Sequence, residues 1–181
     1  MADNAEGTAV PTTGPVDFTT REHRPGKVIA LHLNYPSRIA QRGRSPQFPG
    51  YFLKAGTSIA TTGAEIERPA GTELLAYEGE IALVIGKTTR RVSPEEGWAS
   101  VSHVTASNDC GVYDLRYADK GSNVRSKGGD GFTPLGPAVI PADSVDPNAS
   151  SEMTASTRPS TIMSCTSTPR CARPHGSYSK S

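Results

Sequence analysis

Tyr77-Glu78-Gly79-Glu80-Ile81-Ala82-Leu83-Val84-Ile85-Gly86 puts two carboxylates two residues apart on an otherwise apolar run. The aliphatic stretch that ends at Gly86 reads as a buried strand. In a strand, residues i and i+2 share a face and lie roughly 7 Å apart. Two acids on one face of an apolar strand repel each other and are costly to desolvate. A divalent cation between them removes both objections. Downstream, Asn108-Asp109 offers a third oxygen ligand, which makes a hard-metal site for Mg²⁺, Mn²⁺ or Ca²⁺. A competing reading puts Glu78 and Glu80 on the solvent face of an edge strand. Spacing alone leaves both readings open.

Around this segment the chain reads as one domain with tails. It has 181 residues, of which 35% are hydrophobic, below the usual range for a soluble domain. Part of it is therefore expected to lie outside the core. A net charge of +1 gives no sign of a nucleic-acid surface. No apolar run approaches the roughly 20 residues that span a bilayer. The segment Met1-Ala2-Asp3-Asn4-Ala5-Glu6 lacks the pattern of a secretory signal, and three cysteines without framework spacing fit a reducing cytoplasm.

Residues 1–26, rich in Thr, Gly, Pro and Asp, read as a flexible leader, with room for a short strand around Val16–Phe18. Residues 27–146 carry the pattern of a folded core. Strands are expected at Val28–Leu33 and Tyr51–Lys54, within Glu73–Ile85, from Ser102 to Asn108, and at Ala138–Ile140. Ser93-Pro94-Glu95-Glu96 signals a short helix through a capping box with proline at its first position. Residues 147–181 are dominated by Ser, Thr, Pro, Arg and Ala. Such a segment cannot offset an ordering cost of roughly 1–2 kcal/mol per residue, so it reads as a disordered or out-of-frame tail.

Two further groups carry possible chemistry. The glycines of Lys127-Gly128-Gly129-Asp130-Gly131-Phe132 allow close backbone approach to a ligand, with Lys127 in reach of a carboxylate or enolate oxygen. The alternative is a surface loop with a solvated lysine. Asn34 and Tyr35, with Arg38 and Gln41 behind them, follow an apolar strand, where binding groups often sit, though ordinary turn chemistry with Pro36 and Ser37 also explains them. Gly86-Lys87-Thr88 is set aside as a phosphate loop because Ile81 stands where that motif needs glycine. Cys165, Cys171 and His175 lack a fourth zinc ligand at usable spacing.

Taken in order, these segments resemble the fumarylacetoacetate hydrolase superfamily. Leu33-Asn34-Tyr35, Tyr51-Phe52-Leu53-Lys54, Tyr77-Glu78-Gly79-Glu80, Asn108-Asp109 and Lys127 with Asp130 and Pro134-Leu135-Gly136-Pro137 match five family motifs in sequence. The resemblance implies an α+β fold, a strand-rich mixed β-sandwich roll, incomplete here and with disordered termini. It implies that Glu78, Glu80 and Asp109 bind Mg²⁺ or Mn²⁺ and that Lys127 is catalytic. Asn34, Tyr35, Arg38, Lys54 and Asp130 would contact a 2-oxo acid substrate. A homodimer or larger assembly is implied if the fold is complete.

Arg38 and Gln41 stand where family hydrolases carry a water-activating His and Glu. Arginine stays protonated and glutamine does not titrate, so neither serves as a general base. With Asp130-Gly131, this departure resembles the decarboxylase/isomerase branch of homoprotocatechuate breakdown. The expected function is thus decarboxylation or isomerisation of an unsaturated 2-oxo di- or tricarboxylic acid. The alternatives are C–C bond hydrolysis of a fumarylacetoacetate or acylpyruvate type, and an inactive fragment. Beyond Asp146 no family motif is recognised, which leads to the expectation of a truncated or frameshifted chain.

Overall fold

The computed structural model describes residues 13–147. The tail expected from residue 147 onward, with Cys165, Cys171 and His175, lies almost wholly outside the described residues. In chain order the elements are β1 (Gly14–Pro15), β2 (Val28–His32), α1 (Pro36–Arg42), β3 (Gly50–Lys54), β4 (Ile59–Thr61), β5 (Leu75–Ala76), β6 (Gly79–Ile85), α2 (Pro94–Trp98), β7 (Val101–Asn108), β8 (Gly111–Val112), α3 (Val124–Lys127) and β9 (Thr133–Pro141). Strands dominate and the helices are short, as the α+β expectation requires.

The main sheet is built on β9. One edge of β9 pairs antiparallel with β7, which pairs antiparallel with β6. The other edge is shared. Its first three residues pair parallel with β4, and Ala138 and Val139 pair antiparallel with β1. Two smaller ladders join β2 to β3 and β5 to β8. Alternation decides which face of β9 is buried: Thr133, Leu135 and Val139 point inward, whereas Ala138 and Ile140 are exposed.

Leu135 and Val139 pack with Val16, Phe18 and Ile59 into one core cluster. A second cluster joins Ile66, Cys110, Val112 and Phe132 beneath the candidate site. Two residues of the described part of the expected leader, Val16 and Phe18, therefore belong to the core. The leader's strand is Gly14–Pro15, two residues ahead of the expected position. Val16 and Phe18 are buried because β1 lays them against the end of β9, where the Val16 amide donates to Pro137 O at 3.2 Å.

The expected strand within Glu73–Ile85 is two strands with a break at Tyr77–Glu78. The last strand extends well before Ala138, starting at Thr133. The stretch after Tyr35 forms helix α1, with Pro36 at its start and Gly43 closing it in a left-handed conformation (φ 63°). Lys127 is the last residue of helix α3, not part of the glycine loop that follows.

The capping box is present. Ser93 Oγ accepts from the Glu96 amide at 3.3 Å, and Glu96 Oε2 accepts from the Ser93 amide at 2.9 Å. Ser93→Ala is expected to cost about 1 kcal/mol in urea unfolding, with an unchanged m-value. A loss below about 0.3 kcal/mol would show that β6 and β7 set α2 without its cap.

Candidate active site

The site lies at one end of the β6–β7 ladder. The ladder opens with Gly79 opposite Asn108, so Glu78 just precedes β6 and Asp109 just follows β7. Their backbones are tied there: the Asp109 amide donates to Glu78 O at 2.8 Å, and the Glu78 amide donates to Asn108 Oδ1 at 3.1 Å. Two positions distant in sequence are thereby held side by side by ordinary strand pairing.

Two lysines converge on Asp109. Lys54, the last residue of β3, donates to Asp109 Oδ1 and, at 2.9 Å, to Phe132 O. Lys127 donates to Asp109 Oδ2 and, at 2.8 Å, to Glu78 Oε2. Space for Lys127 comes from Gly111 on β8, where an added Cβ would lie 3.1 Å from Lys127 Cγ. Helix α3 is itself anchored, because Asp119 Oδ2 accepts from the Ser126 amide at 2.6 Å and from Ser126 Oγ at 2.7 Å.

The three carboxylates are not equivalent. Burial pushes the Glu78 carboxyl up, but Lys127 and the Tyr113 hydroxyl outweigh it, and the net shift is downward. Glu80 forms no ion pair with a lysine among the described residues. Burial raises its carboxyl, a hydrogen bond from Tyr35 pulls the other way, and the charges of Glu78 and Asp109 raise it further. Lys54 is lowered by burial, with Asp109 opposing that shift. Negative charge is thus balanced at Asp109 and Glu78 and left over at Glu80.

Of the residues expected in the site, Glu78, Asp109, Lys54 and Lys127 form one bonded web. Glu80 and Tyr35 adjoin it, with the Tyr35 hydroxyl accepting from the Ile81 amide at 3.2 Å. Asn34, Arg38 and Asp130 are exposed and do not join the web. Arg38 instead donates to Gln41 Oε1, one turn along α1.

Tyr113 is a member that local patterns missed. Its hydroxyl donates to Glu78 Oε1 at 2.7 Å from a position 35 residues away. The only sequence signal was its place four residues after Asp109. The donor set consists of hard carboxylate oxygens, which suits Mg²⁺ or Mn²⁺, and the surplus charge at Glu80 fits a cation. Among the described residues, though, no three carboxylate, histidine or cysteine groups stand close enough to enclose an ion. Both lysines point inward at Asp109 instead.

Comparison with known proteins identifies the family of the chain. The chain is 34% identical over 133 residues to a 4-hydroxyphenylacetate degradation bifunctional isomerase/decarboxylase of Salmonella dublin, a match covering 72% of this chain and 31% of that protein. A crystal structure of 5-carboxymethyl-2-hydroxymuconate delta-isomerase from Mycobacterium smegmatis superimposes with a TM-score of 0.62 at 31% identity. It covers 75% of this chain and 48% of that one. A fumarylacetoacetate hydrolase from Exiguobacterium antarcticum gives 0.59 at 35% identity, covering 68% and 45%. The chain thus spans about a third to a half of the length of these proteins. The family model described as Fumarylacetoacetate (FAA) hydrolase C-terminal matches residues 27–173, so the match runs past Asp146, where recognisable motifs end. With most of its length matched to that model, the chain belongs to the fumarylacetoacetate hydrolase family.

Proposed function

We propose that the protein is a divalent-metal-dependent enzyme of aromatic catabolism. Its substrate would be an unsaturated 2-oxo di- or tricarboxylic acid, which it decarboxylates or isomerises. The observation that carries this reading is the junction of Glu78, Glu80 and Asp109 with Lys127 at one end of the β6–β7 ladder. The similarity to an isomerase/decarboxylase supports it.

Glu78, Glu80 and Asp109 would hold Mg²⁺ or Mn²⁺. When bound, such an ion supplies positive charge that stabilises an oxyanion developing on a 2-oxo acid. The chain's own residues do the rest. Lys127 already donates to two carboxylates, so a substrate carboxylate or enolate oxygen replaces an acceptor it is oriented to serve. Lys54, with a side chain only 1% exposed, fixes Asp109 from behind. This assigns it a supporting place in the site in addition to the substrate contact expected from its motif.

Arg38 and Gln41 bond to each other on exposed α1, and neither side chain accepts a proton at neutral pH. Loss of CO₂ needs no activated water, so this pair favours decarboxylation over hydrolysis. The second reading, C–C bond hydrolysis of an acylpyruvate, is kept because one similar structure is a fumarylacetoacetate hydrolase. The two separate in an assay with Mg²⁺ on both substrate types. CO₂ release from the unsaturated 2-oxo tricarboxylate is expected. Acylpyruvate cleavage without CO₂ release would replace the first reading by the second, and absence of CO₂ release, of isomerised 2-oxo acid and of cleavage products together would overturn the enzymatic reading.

A further inference from the structure

Glu78 is held from two sides, and the two holds differ. Lys127 divides its ammonium between Glu78 and Asp109. The Tyr113 hydroxyl donates to Glu78 Oε1 alone. The short 3₁₀ turn that carries Tyr113 is fixed to the approach to β5. Its amide donates to Leu74 O at 2.9 Å, and Asp114 Oδ2 accepts from the Glu73 and Leu74 amides at 3.1 and 2.7 Å. The ring therefore reaches Glu78 from a base locked to the chain that leads into Glu78. The Arg116 guanidinium covers the ring, 5.4 Å from its centroid.

We infer that Tyr113 is a positioning residue: its hydroxyl pins Glu78 Oε1 and thereby sets the rotation at which Glu78 presents its carboxylate toward Glu80 and Asp109. The inference rests on the proposed divalent-metal reading of the site. The terminal torsion of a glutamate is broad, so an unheld carboxylate must be ordered when a cation arrives. Tyr113 orders it beforehand. Hydrogen-bond partners of ligating carboxylates commonly contribute 10–100-fold in metal affinity.

Tyr113→Phe is the discriminating variant because it keeps the ring beneath Arg116 and removes only the hydroxyl. Mn²⁺ is titrated into the full chain and into the variant, the free ion being followed by its electron paramagnetic resonance signal. Circular dichroism at the same temperature checks that both are folded. Affinity roughly 10–100-fold weaker in the variant is expected. A purely structural tyrosine would lower the melting temperature and leave Mn²⁺ affinity within about twofold of wild type, and that result overturns the inference. Should the phenylalanine variant not fold, Arg116→Ala serves as the second variant. It leaves the hydroxyl in place but frees the ring, and a loss of Mn²⁺ affinity is again expected, with unchanged affinity against the inference. A wild-type chain that binds no Mn²⁺ overturns the metal reading, and this inference with it.

Discussion

Lys54→Met is expected to lower the unfolding free energy by about 3 kcal/mol, the low end of the range for breaking one half of a buried ion pair. The Lys54 side chain is almost wholly enclosed, and its ammonium is the donor to Asp109 Oδ1 and Phe132 O. Methionine fills most of the same volume, so little cavity term enters. The loss comes from leaving a carboxylate oxygen short of its donor in a site with limited water access. Two features keep it from being larger. Lys127 still serves the other oxygen of Asp109, and the Cys110 amide still donates to Phe132 O at 3.0 Å. Burial also depresses the Lys54 ammonium, so part of the pair's attraction already goes into desolvation. Urea unfolding measures the loss. Asp109→Leu in the same background should recover part of it, because removing both partners relieves the stranded charge. A cost below about 1 kcal/mol for Lys54→Met alone would mean that Lys54 is not a structural partner of Asp109.

This coupling shows where sequence reading reaches its limit. Strands β2, β3, β6 and β7 were legible because their aliphatic and aromatic runs are long enough to show a period. Glu78 and Glu80 stood out because acids conflict with such a run. Ser93 and Glu96 were legible because a capping box is local by construction. Pairings that bridge long separations leave no local trace: Lys54 is 55 residues from Asp109, and Tyr113 is 35 from Glu78. The three residues of β4 are too few to show alternation, and only their parallel pairing with β9 reveals them as a strand. A short strand was legible around Val16–Phe18, but the Thr, Gly and Pro around these two residues hid their place in the core. A composition average cannot register two large apolar side chains that one bridge of strand buries.

The largest functional effect is expected at Glu80, and it should change direction with conditions. In the absence of metal, Glu80 is half-buried and faces the negative charge of Glu78 and Asp109, against which stand a hydrogen bond from Tyr35 and the more distant charge of Lys127. Glu80→Gln removes that charge at nearly constant shape, so the metal-free variant should melt at or above the wild-type temperature. With Mg²⁺ at about 100 times its dissociation constant, the wild type gains about 2.7 kcal/mol, which for a domain of this size raises its melting temperature by roughly 5–11 °C. The variant, lacking one of three anionic ligands, should show almost none of that rise, so the order of the two melting curves reverses on adding Mg²⁺. Turnover, if the proposed activity is present, should fall by at least about 100-fold, since charge stabilisation at the developing oxyanion is commonly the largest single contribution to catalysis. A Mg²⁺ shift of equal size in both proteins would remove Glu80 from the ligand set. Its half-buried charge would then need another cation to explain it, and the closest candidate is Lys127, whose charge already acts on Glu80.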